Sequence, residues 1–431
     1  MSVSVLHDAS MSMTVLNNAL TPSNQDSSPR IALVTCLPPD ETGIANFSFE
    51  HLAVFPEPIA VFTPVRDVSR YFHNMAVLAQ KTSSNVSVHP ISSLLALNAL
   101  WDFEKIIVVV GNSHHNLEAC KQIRHLASVG MARKIVCYLH DPCCLNIVQC
   151  SQSLSNDQMV SLMAKVYPEK AEIKSYGASW QLHAALVEQN IMGIRALYDS
   201  GAHSFIVNSQ FAADLVHGDL TAEQRANVTI NTLFHPVFAQ NPISEYGDEK
   251  TMARTIGTFG FASEAKGTDV LIDAVARLNA QGEETRLIVS GYGASRFITA
   301  IFGSKIPSWL YHNEPETERE LQLDMQKCDL AVQLRRHSLG ESSGVVPTLI
   351  GMAIPTVVSP VGAFQEYGDA VSYFQGYDSG ALAEFLIKAP SVSPTCMKIY
   401  AQEHSVAVFN RMLIDSLVAL ADAPQEKVLS Q

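Results

Sequence analysis

Short apolar runs alternate along the chain with longer segments in which apolar residues recur at helical spacing. In the first half, five runs are rich in β-branched residues: Ile31–Thr35, Ile59–Thr63, Ile106–Val110, Ile135–Leu139 and Phe205–Val207. The second half holds four more: Thr255–Phe259, Leu287–Ser290, Leu330–Leu334 and Thr356–Ser359. Runs that are apolar on both faces are typical of parallel strands covered by helices. The pattern therefore predicts an α/β protein.

One segment between two of these runs predicts an amphipathic helix. Its apolar residues fall on a single helical face: Val270, Leu271, Ala274, Val275 and Leu278. Thr268 or Asp269 is expected to cap its first turn, because short polar side chains accept hydrogen bonds from free N–H groups there.

The two sets of strands predict two Rossmann-like, doubly wound domains that face each other across a cleft. The break is expected near Ala239–Arg254, which is polar, contains Pro and Gly, and lacks apolar periodicity. The predicted parts are a disordered tail over 1–29, an N-terminal domain over 30–240, a C-terminal domain over 241–395 and a final segment over 396–431. Residues 151–195 have a mostly helical pattern and predict an insertion between two strands.

Charge and composition exclude several classes of protein. The 431 residues include 29 Lys and Arg against 42 Asp and Glu, for a formal charge of −13, which argues against a nucleic-acid partner. No apolar run reaches the roughly 18–20 residues of a membrane helix, and the start lacks the features of a secretory signal. The eight cysteines lack zinc-site spacing, so they predict reduced, packed thiols. We expect a soluble, cytoplasmic protein without a bound metal or cofactor.

Three turns that follow strands offer backbone N–H groups to an anion. The first spans Pro38–Asn46, where Gly43 would let a ligand approach the backbone before a helix begins. An ordinary loop with a capping glycine explains the same residues. The second spans Gly260–Gly267, where Lys266 could compensate a diphosphate. A solvated loop lysine is its alternative.

The third turn, Leu334–Pro347, combines two arginines with the start of a helix. Arg335 could grip phosphate oxygens, and free N–H groups near Ser342, Ser343 and Gly344 form a candidate anion site. Glu341 would repel phosphate and is better suited to sugar hydroxyls. The alternative interpretation is a structural ion pair.

Two further features end predicted strands. His140 follows Ile135–Leu139 and is expected to face the cleft, or else to be a hydrogen-bonded core residue. Gly291-Tyr292-Gly293 follows Leu287–Ser290 and contains half of a dinucleotide fingerprint. Because the third glycine and the later acidic residue are missing, we interpret it as a tight turn and exclude an NAD-dependent enzyme.

Several strings, taken in order, resemble the retaining glycosyltransferases of family 4, which have the GT-B fold. They are LPPDETGIANFS, GNSHH, CYLHDP, FHPV, TIGTFGFASEAKGTDVLIDAVARL and DLAVQLRRHSLGESSGVVPTLIGMAIPTVVSPVGAFQE. The resemblance covers about residues 30–420 and points to members that act on bacterial surface polysaccharides.

The resemblance implies a role for each candidate residue. Gly43 and Gly260 would lie against the donor's diphosphate, and Lys266 and Arg335 would neutralise it. The amides of Ser342, Ser343, Gly344 and Val345 would cradle the same group. Glu341 would contact the sugar ring, His140 would stand at the reacting face, and Glu366 would contact ribose or sugar. The final helix, around Val406–Ala421, would cross back to the N-terminal domain.

The sequence departs from the family pattern at three positions. Thr348 stands where a second glutamate usually binds ribose hydroxyls, and Phe261 replaces an arginine after the glycine of the second turn. Ala353 replaces a glycine, which is a minor change in packing.

The implied activity is hexosyl transfer from a GDP- or UDP-hexose to a hydroxyl acceptor, with retention and without a metal. The acceptor would be an oligosaccharide, a lipid-linked sugar or a protein-linked sugar, and a lipid-linked acceptor would require peripheral contact with the inner membrane surface. Two alternatives stay open. One is a non-catalytic GT-B protein that binds a sugar nucleotide or a partner, and the other is a GT-B epimerase or phosphorylase.

Overall fold

The computed structural model describes residues 28–40, 42–69, 71–72, 75–76, 85–170, 173–174, 176–238, 253–388 and 392–422. The chain divides into two compact units. Unit 1 contains the described residues up to Leu233 and those from Phe409 onward, and unit 2 contains Phe234–Val408. Most of the predicted tail and of the linker near residues 239–254 lies outside the described residues. The division falls a few residues before the predicted boundary at residue 240.

Unit 1 is built on a seven-stranded parallel sheet with the order β3-β2-β1-β4-β5-β6-β7. Its strands are β1 (Ile31–Val34), β2 (Ile59–Thr63), β3 (Val86–Pro90), β4 (Lys105–Val110), β5 (Ile135–Leu139), β6 (Ser204–Val207) and β7 (Thr229–Thr232). In the register of the centre, Leu33 lies beside Val61 on one side and Ile107 on the other. Every residue of β1, β2, β4 and β5 is buried. Helices therefore cover both faces of this sheet.

The helices of unit 1 connect and cover these strands. They are α1 (Gly43–Leu52), α2 (Leu94–Trp101), α3 (Leu117–Ser128), α4 (Leu145–Ser151), α5 (Asn156–Val166), α6 (Ser179–Glu188), α7 (Ile194–Asp199), α8 (Gln210–Asp219) and α9 (Ala222–Ala226). Helices α5, α6 and α7 lie between β5 and β6, in and just after the segment predicted to be a helical insertion. Short 3₁₀ turns cover Ile91–Ser93, His114–Asn116 and Ala132–Lys134.

Unit 2 is built on a six-stranded parallel sheet with the order β10-β9-β8-β11-β12-β13. Its strands are β8 (Arg254–Phe259), β9 (Thr285–Ser290), β10 (Leu310–Asn313), β11 (Leu330–Gln333), β12 (Thr356–Val358) and β13 (Ser372–Tyr373). Its helices are α10 (Thr268–Ala280), α11 (Ala294–Phe302), α12 (Glu318–Gln326), α13 (Val345–Gly351), α14 (Ser379–Ile387) and α15 (Pro394–Glu403). Two 3₁₀ segments cover Glu264–Lys266 and Gly362–Ala370. The last helix, α16 (Val406–Asp422), begins in unit 2 and belongs to unit 1 from Phe409 onward.

The prediction of an α/β fold with parallel sheets is confirmed. Each of the nine apolar runs forms a strand, with bounds that shift by at most two residues. The sequence analysis missed four strands, β3, β7, β10 and β13, and all four are at the edges of their sheets. Edge strands are partly exposed and carry polar residues, so they lack the apolar run that marks a central strand.

The predicted cap of α10 is wrong in detail. The helix begins at Thr268, so Thr268 and Asp269 lie in its first turn, and the N-cap is Gly267 in the left-handed region at φ 60°. A Cβ on Gly267 would be 2.8 Å from Cβ of Leu334, so only glycine fits this turn. The apolar face predicted over Val270–Leu278 is buried in the core of unit 2.

Two further findings concern the described parts of the chain. None of their helices is both long enough and apolar enough to cross a membrane. All eight cysteines are free thiols, and five of them are buried: Cys36, Cys120, Cys137, Cys143 and Cys144.

Candidate functional site

The candidate site of unit 2 lies where β8 and β11 end. These two strands pair in the middle of the sheet, and each is followed by one of the turns singled out in the sequence. The carboxyl ends of parallel strands meet at the same edge, which is where doubly wound sheets bind ligands. The turn after β8 carries Gly260 and Lys266, and the turn after β11 carries Arg335 and Glu341.

Arg336 holds the loop that carries Lys266. Its Nε donates to the carbonyl of Glu264 at 2.8 Å, and its backbone N–H donates to the carbonyl of Ala265 at 2.9 Å. Its guanidinium also forms an ion pair with Asp269 at 2.6 Å. Arg336 therefore acts as a positioning residue for the loop, and its ion pair with Asp269 is a structural one of the kind given as the alternative for the two arginines.

The ammonium of Lys266 lies close to the backbone at the end of β8. A Cβ on Gly260 would be 3.7 Å from Nζ of Lys266 and 3.5 Å from the side chain of Val345. Within the described part of the chain, the Lys266 ammonium forms no hydrogen bond or ion pair with a carboxylate or carbonyl, while its backbone N–H donates to the carbonyl of Ser263 at 3.1 Å. Burial, and then the positive charge of Arg335, lower the pKa of Lys266 to about 8, and Glu341 opposes that shift only in part.

Arg335 is buried and held on several sides. Its guanidinium lies 4.6 Å above the ring of Phe364 and forms an ion pair with Glu341 at 2.8 Å. It also donates to the carbonyl of Glu341 at 2.9 Å. The backbone is fixed as well, because Tyr377 Oη donates to the carbonyl of Arg335 and the Arg335 N–H donates to Ser359. The structural ion pair considered in the sequence analysis is therefore present.

Glu341 uses both carboxylate oxygens within its own turn. Oε1 accepts from Arg335, and Oε2 accepts from the backbone N–H of Leu339 at 2.8 Å and from Ser338 Oγ at 3.3 Å. These contacts hold the turn that leads into α13. The expected contact between Glu341 and sugar hydroxyls stays a prediction.

The start of α13 follows this turn directly. Ser343 Oγ accepts from the backbone N–H of Val346 at 3.4 Å, and Gly344 is the N-cap. Thr348 Oγ1 donates back to the carbonyl of Gly344 at 2.8 Å. The proton of that hydroxyl is therefore used within the helix, at the position where the family pattern has a carboxylate.

His235 lies beside Gly344. Its Nε2 is 3.8 Å from the place that a Cβ on Gly344 would occupy, and Nδ1 lies 3.2 Å from the carbonyl of Pro236. Burial lowers the pKa of His235 to about 4, so the imidazole is neutral at pH 7. The FHPV string contained this residue, but nothing in the sequence indicated its proximity to Gly344.

Glu366 belongs to the 3₁₀ segment Gly362–Ala370 and is exposed. The same segment carries Phe364, whose ring supports Arg335. The predicted contact of Glu366 with ribose or sugar stays a prediction.

Gly43 and His140 belong to unit 1. Gly43 begins α1, where Thr42 Oγ1 accepts from the backbone N–H of Ile44 at 3.4 Å. Apart from its chain neighbours and the backbone of its own helix, no described atom lies within 4 Å of the place that a Cβ on Gly43 would occupy. His140 follows β5, and its buried ring lies 4.6 Å from the rings of Phe47 and Tyr138. The histidine thus packs in an aromatic cluster, and its expected position at the reacting face stays a prediction.

Polar side chains also converge where β1, β2 and β4 end in unit 1. Arg66 forms an ion pair with Asp40 at 2.9 Å, and its Nη1 lies 3.1 Å from Nδ1 of His115. It also donates to the carbonyl of His115 at 2.9 Å. The GNSHH string included the histidine and the LPPDETGIANFS string included Asp40, but no sequence pattern indicated that Arg66 lies near them, because the three residues follow different strands.

Comparison with solved structures identifies the fold. No protein-family model matches the chain, and no curated protein matches it. Anabaena HepE in complex with UDP-glucose has a TM-score of 0.58 and 15% identity, over 90% of this chain and 99% of that one. A Rickettsia africae glycosyltransferase has a TM-score of 0.58 and 10% identity, over 92% of this chain and 100% of that one. The UDP-forming trehalose-phosphate synthase of Burkholderia xenovorans, in complex with glucose-6-phosphate, has a TM-score of 0.55 and 12% identity. That match covers 90% of this chain and 100% of the synthase.

The chain has the GT-B fold. At 10–15% identity, the similarity establishes this fold, while the activity is argued below from the residues. Among the residues predicted for the site, the GT-B chain brings Gly260, Lys266, Arg335 and Glu341 together in unit 2, next to the turn Ser342–Val345.

Proposed function

We propose that this GT-B protein is a retaining glycosyltransferase of the family 4 type, which transfers a hexose from a nucleotide-diphosphate sugar to a hydroxyl acceptor. One observation carries the proposal. The Lys266 ammonium has no hydrogen-bonded or ion-paired partner among the described residues, and it lies beside Gly260 and Arg335 at the edge of the sheet where ligands bind.

A diphosphate suits this arrangement of charges. Glu341 compensates Arg335, whereas Lys266 adds a positive charge that no described side chain pairs with. A partly buried charge without a partner is costly, so an anionic ligand that reaches Lys266 gains a charge-assisted hydrogen bond and removes that cost. The amides of Ser342–Val345 would supply further donors to the same ligand.

The same groups would stabilise the transition state. The bond between the anomeric carbon and the phosphate oxygen breaks, and negative charge develops on the diphosphate. Cations and N–H groups already aimed at that charge lower the barrier without reorganising. The acceptor oxygen attacks from the face that the phosphate leaves, and its proton passes to the departing phosphate. We propose this front-face course rather than a covalent glutamyl intermediate, because the ion pair with Arg335 already engages the Glu341 carboxylate.

The donor and acceptor are proposed by class. A UDP-hexose is supported by the solved structures, of which one holds UDP-glucose and another UDP-2-fluoro glucose, and a GDP-hexose is the second candidate. We propose an oligosaccharide, lipid-linked or protein-linked acceptor in cytoplasmic polysaccharide or glycoconjugate biosynthesis. Gly43, His140 and Glu366 keep the donor and reacting-face roles that the resemblance implies.

One observation favours a non-catalytic sugar-nucleotide binder as the second candidate. Thr348 replaces the second glutamate, and its hydroxyl donates to the Gly344 carbonyl. Two measurements separate the candidates. A thermal-shift comparison of UDP-glucose and GDP-mannose identifies the donor, because binding raises stability by RT ln(1 + [L]/Kd). Release of the nucleoside diphosphate from that donor then marks a catalyst, and tight binding without release marks a binder.

Replacing Lys266 with alanine tests the proposed site. We expect kcat/KM for the donor to fall about 100-fold or more in Lys266→Ala and in Arg335→Ala, by analogy with the loss of one oxyanion-hole donor. The exposed Lys305 offers a matched control, because Lys305→Ala removes a lysine of unit 2 that lies outside the site. Unchanged kcat/KM in Lys266→Ala would overturn the assignment of the leaving-group site.

The reaction is proposed to need no metal, because Lys266, Arg335 and the amides provide the positive charge. Turnover is expected to persist after dialysis against EDTA. Loss of turnover that Mg²⁺ restores would contradict this part of the proposal.

A further inference from the structure

Two large aromatic side chains stack on the surface at the end of β8 and β9. Phe261 is 49% exposed and Tyr292 is 76% exposed. Their ring centroids are 5.7 Å apart, and the ring planes are inclined by 24°. Aromatic side chains of this size are usually buried to a larger extent. Two exposed rings that stack on each other therefore indicate a candidate ligand-binding surface.

The backbone holds this pair in place. Gly260 N–H donates to the carbonyl of Ser290 at 2.9 Å, and Ala262 N–H donates to the carbonyl of Tyr292 at 3.2 Å. These bonds extend the pairing of β8 with β9 beyond the two strands. The backbones come so close that a Cβ on Gly291, at φ 139°, would be 2.3 Å from the carbonyl oxygen of Gly260. The turn interpreted from the sequence as merely tight therefore fixes Tyr292 next to Phe261.

The stacked pair adjoins the proposed diphosphate site. Phe261 follows Gly260, and a Cβ on Gly260 would be 3.7 Å from Nζ of Lys266. In the sheet, β8 pairs with β11 on one side and with β9 on the other. A diphosphate held between the ends of β8 and β11 thus has the aromatic pair about one strand spacing away, roughly 5 Å. Because a ribose separates the base of a nucleotide from its phosphates, a nucleotide held here by its diphosphate can reach the neighbouring aromatic pair with its base.

We propose that Phe261 and Tyr292 form an aromatic platform on which the nucleobase of the sugar-nucleotide donor stacks. The inference rests on the proposed function, because it needs a nucleotide whose diphosphate lies at Lys266 and Arg335. A base offers a flat π-face that stacks on an aromatic ring whatever its hydrogen-bonding pattern. The platform would therefore contribute affinity, while other contacts would decide between uracil and guanine.

Binding of two probes tests the platform. UDP and GDP are titrated into the full chain by calorimetry, and the tighter nucleotide is then compared with inorganic pyrophosphate, which has no base. In Phe261→Ala and Tyr292→Ala, the Kd for the nucleotide is expected to rise about tenfold, within the range measured for loss of one stacking ring. The Kd for pyrophosphate is expected to stay unchanged in both variants.

Two further variants control for other causes. Trp180→Ala removes an exposed aromatic ring from α6 in unit 1, and it is expected to leave both constants unchanged. Tyr292→Phe keeps the ring and is expected to bind the nucleotide as the natural chain does. Far-UV circular dichroism and Tm of each variant verify that the fold is intact.

The outcomes distinguish failure of the platform from failure of the proposed function. If the nucleotide and pyrophosphate bind with a dependence on Lys266, but both aromatic variants bind the nucleotide normally, the platform is overturned and the donor site stands. Equal weakening of pyrophosphate and nucleotide would also overturn it, since the rings would then only support the loop. Absence of binding by UDP, GDP and pyrophosphate to the natural chain would reject the proposed function itself.

Discussion

Lys266 illustrates how a single residue acquires its chemistry from its surroundings. In the sequence it is a loop lysine, for which solvation is the ordinary state. In the structure, burial and the neighbouring Arg335 lower the pKa of its ammonium to about 8, and Arg336 holds the loop in position. The proposed interaction with a diphosphate requires the protonated form, so binding and protonation are coupled.

The lowered pKa predicts how donor binding depends on pH. Below pH 8 the ammonium is already present, and Kd for the nucleotide changes little from pH 7 to pH 8. Above pH 8 the free protein has lost that proton and must regain it on binding. Kd is therefore expected to rise, by up to about tenfold per pH unit. Calorimetry from pH 7 to pH 10 measures the change.

Arginine at the same position gives the matched control. Because arginine keeps its charge over this range, Lys266→Arg is expected to remove the rise in Kd above pH 8. A rise of the same size in Lys266→Arg would assign the pH dependence to another group.

Helix α16 shows what an element contributes beyond its own residues. From Phe409 onward it packs in unit 1, although residues 234–408 between the two parts of this unit form unit 2. Asn410 is fully buried there, and its Nδ2 donates to the carbonyls of His51 and Val54 at 3.0 and 3.3 Å. Its Oδ1 lies 3.2 Å from Nδ1 of His51. The side-chain amide of Asn410 thus provides hydrogen-bond donors for backbone carbonyls at the carboxyl end of α1.

Removing this amide is expected to destabilise unit 1. Asn410→Ala leaves the buried carbonyl of His51 without its donor, which costs about 1–3 kcal/mol. Urea unfolding followed by circular dichroism measures the free energy of unfolding. Arg411→Ala, at the adjacent exposed position of the same helix, is expected to change it by less than about 0.5 kcal/mol. Equal effects of the two substitutions would contradict the role given to Asn410.

At the scale of the whole molecule, buried histidines predict sensitivity to acid. Burial lowers the pKa of both His51 and His89 to about 4, and both lie in unit 1. A histidine in the unfolded chain has a pKa near 6.5. Below that pH the two histidines are protonated in the unfolded state but remain neutral in the folded state, which favours unfolding. Stability is therefore fully present above pH 6.5 and is lost as the pH falls towards 4.

The predicted loss can be measured before most carboxylates titrate. Between pH 6.5 and pH 5, the free energy of unfolding is expected to fall with a slope that approaches about 1.4 kcal/mol per pH unit for each histidine. Urea titrations at closely spaced pH values give the slope. His89→Gln is expected to reduce this slope by the contribution of one histidine, up to about 1.4 kcal/mol per pH unit. A free energy of unfolding that is constant over this pH range would contradict the prediction.

The sequence by itself determined the central strands and the turns that follow them. Apolar runs such as Ile59–Thr63 and Ile135–Leu139 marked buried parallel strands because both of their faces must be covered. The exposed edge strands gave no such signal. Lys266, Arg335 and Glu341 were recognised as candidates because a charged group after a buried strand is conspicuous in the sequence alone.

Only the tertiary structure decided what these groups contact. Arg336 fixes a loop that precedes it by about 70 residues, and His235 reaches Gly344 across more than 100. Phe261 stacks on Tyr292 because β8 and β9 are neighbours in the sheet. Local patterns encode which residues form strands and helices, since those depend on neighbours along the chain. The partners of a side chain depend on the order of the strands in the sheet. That order is set by the packing of all strands and helices of a unit into a buried core, which involves residues far apart in the sequence.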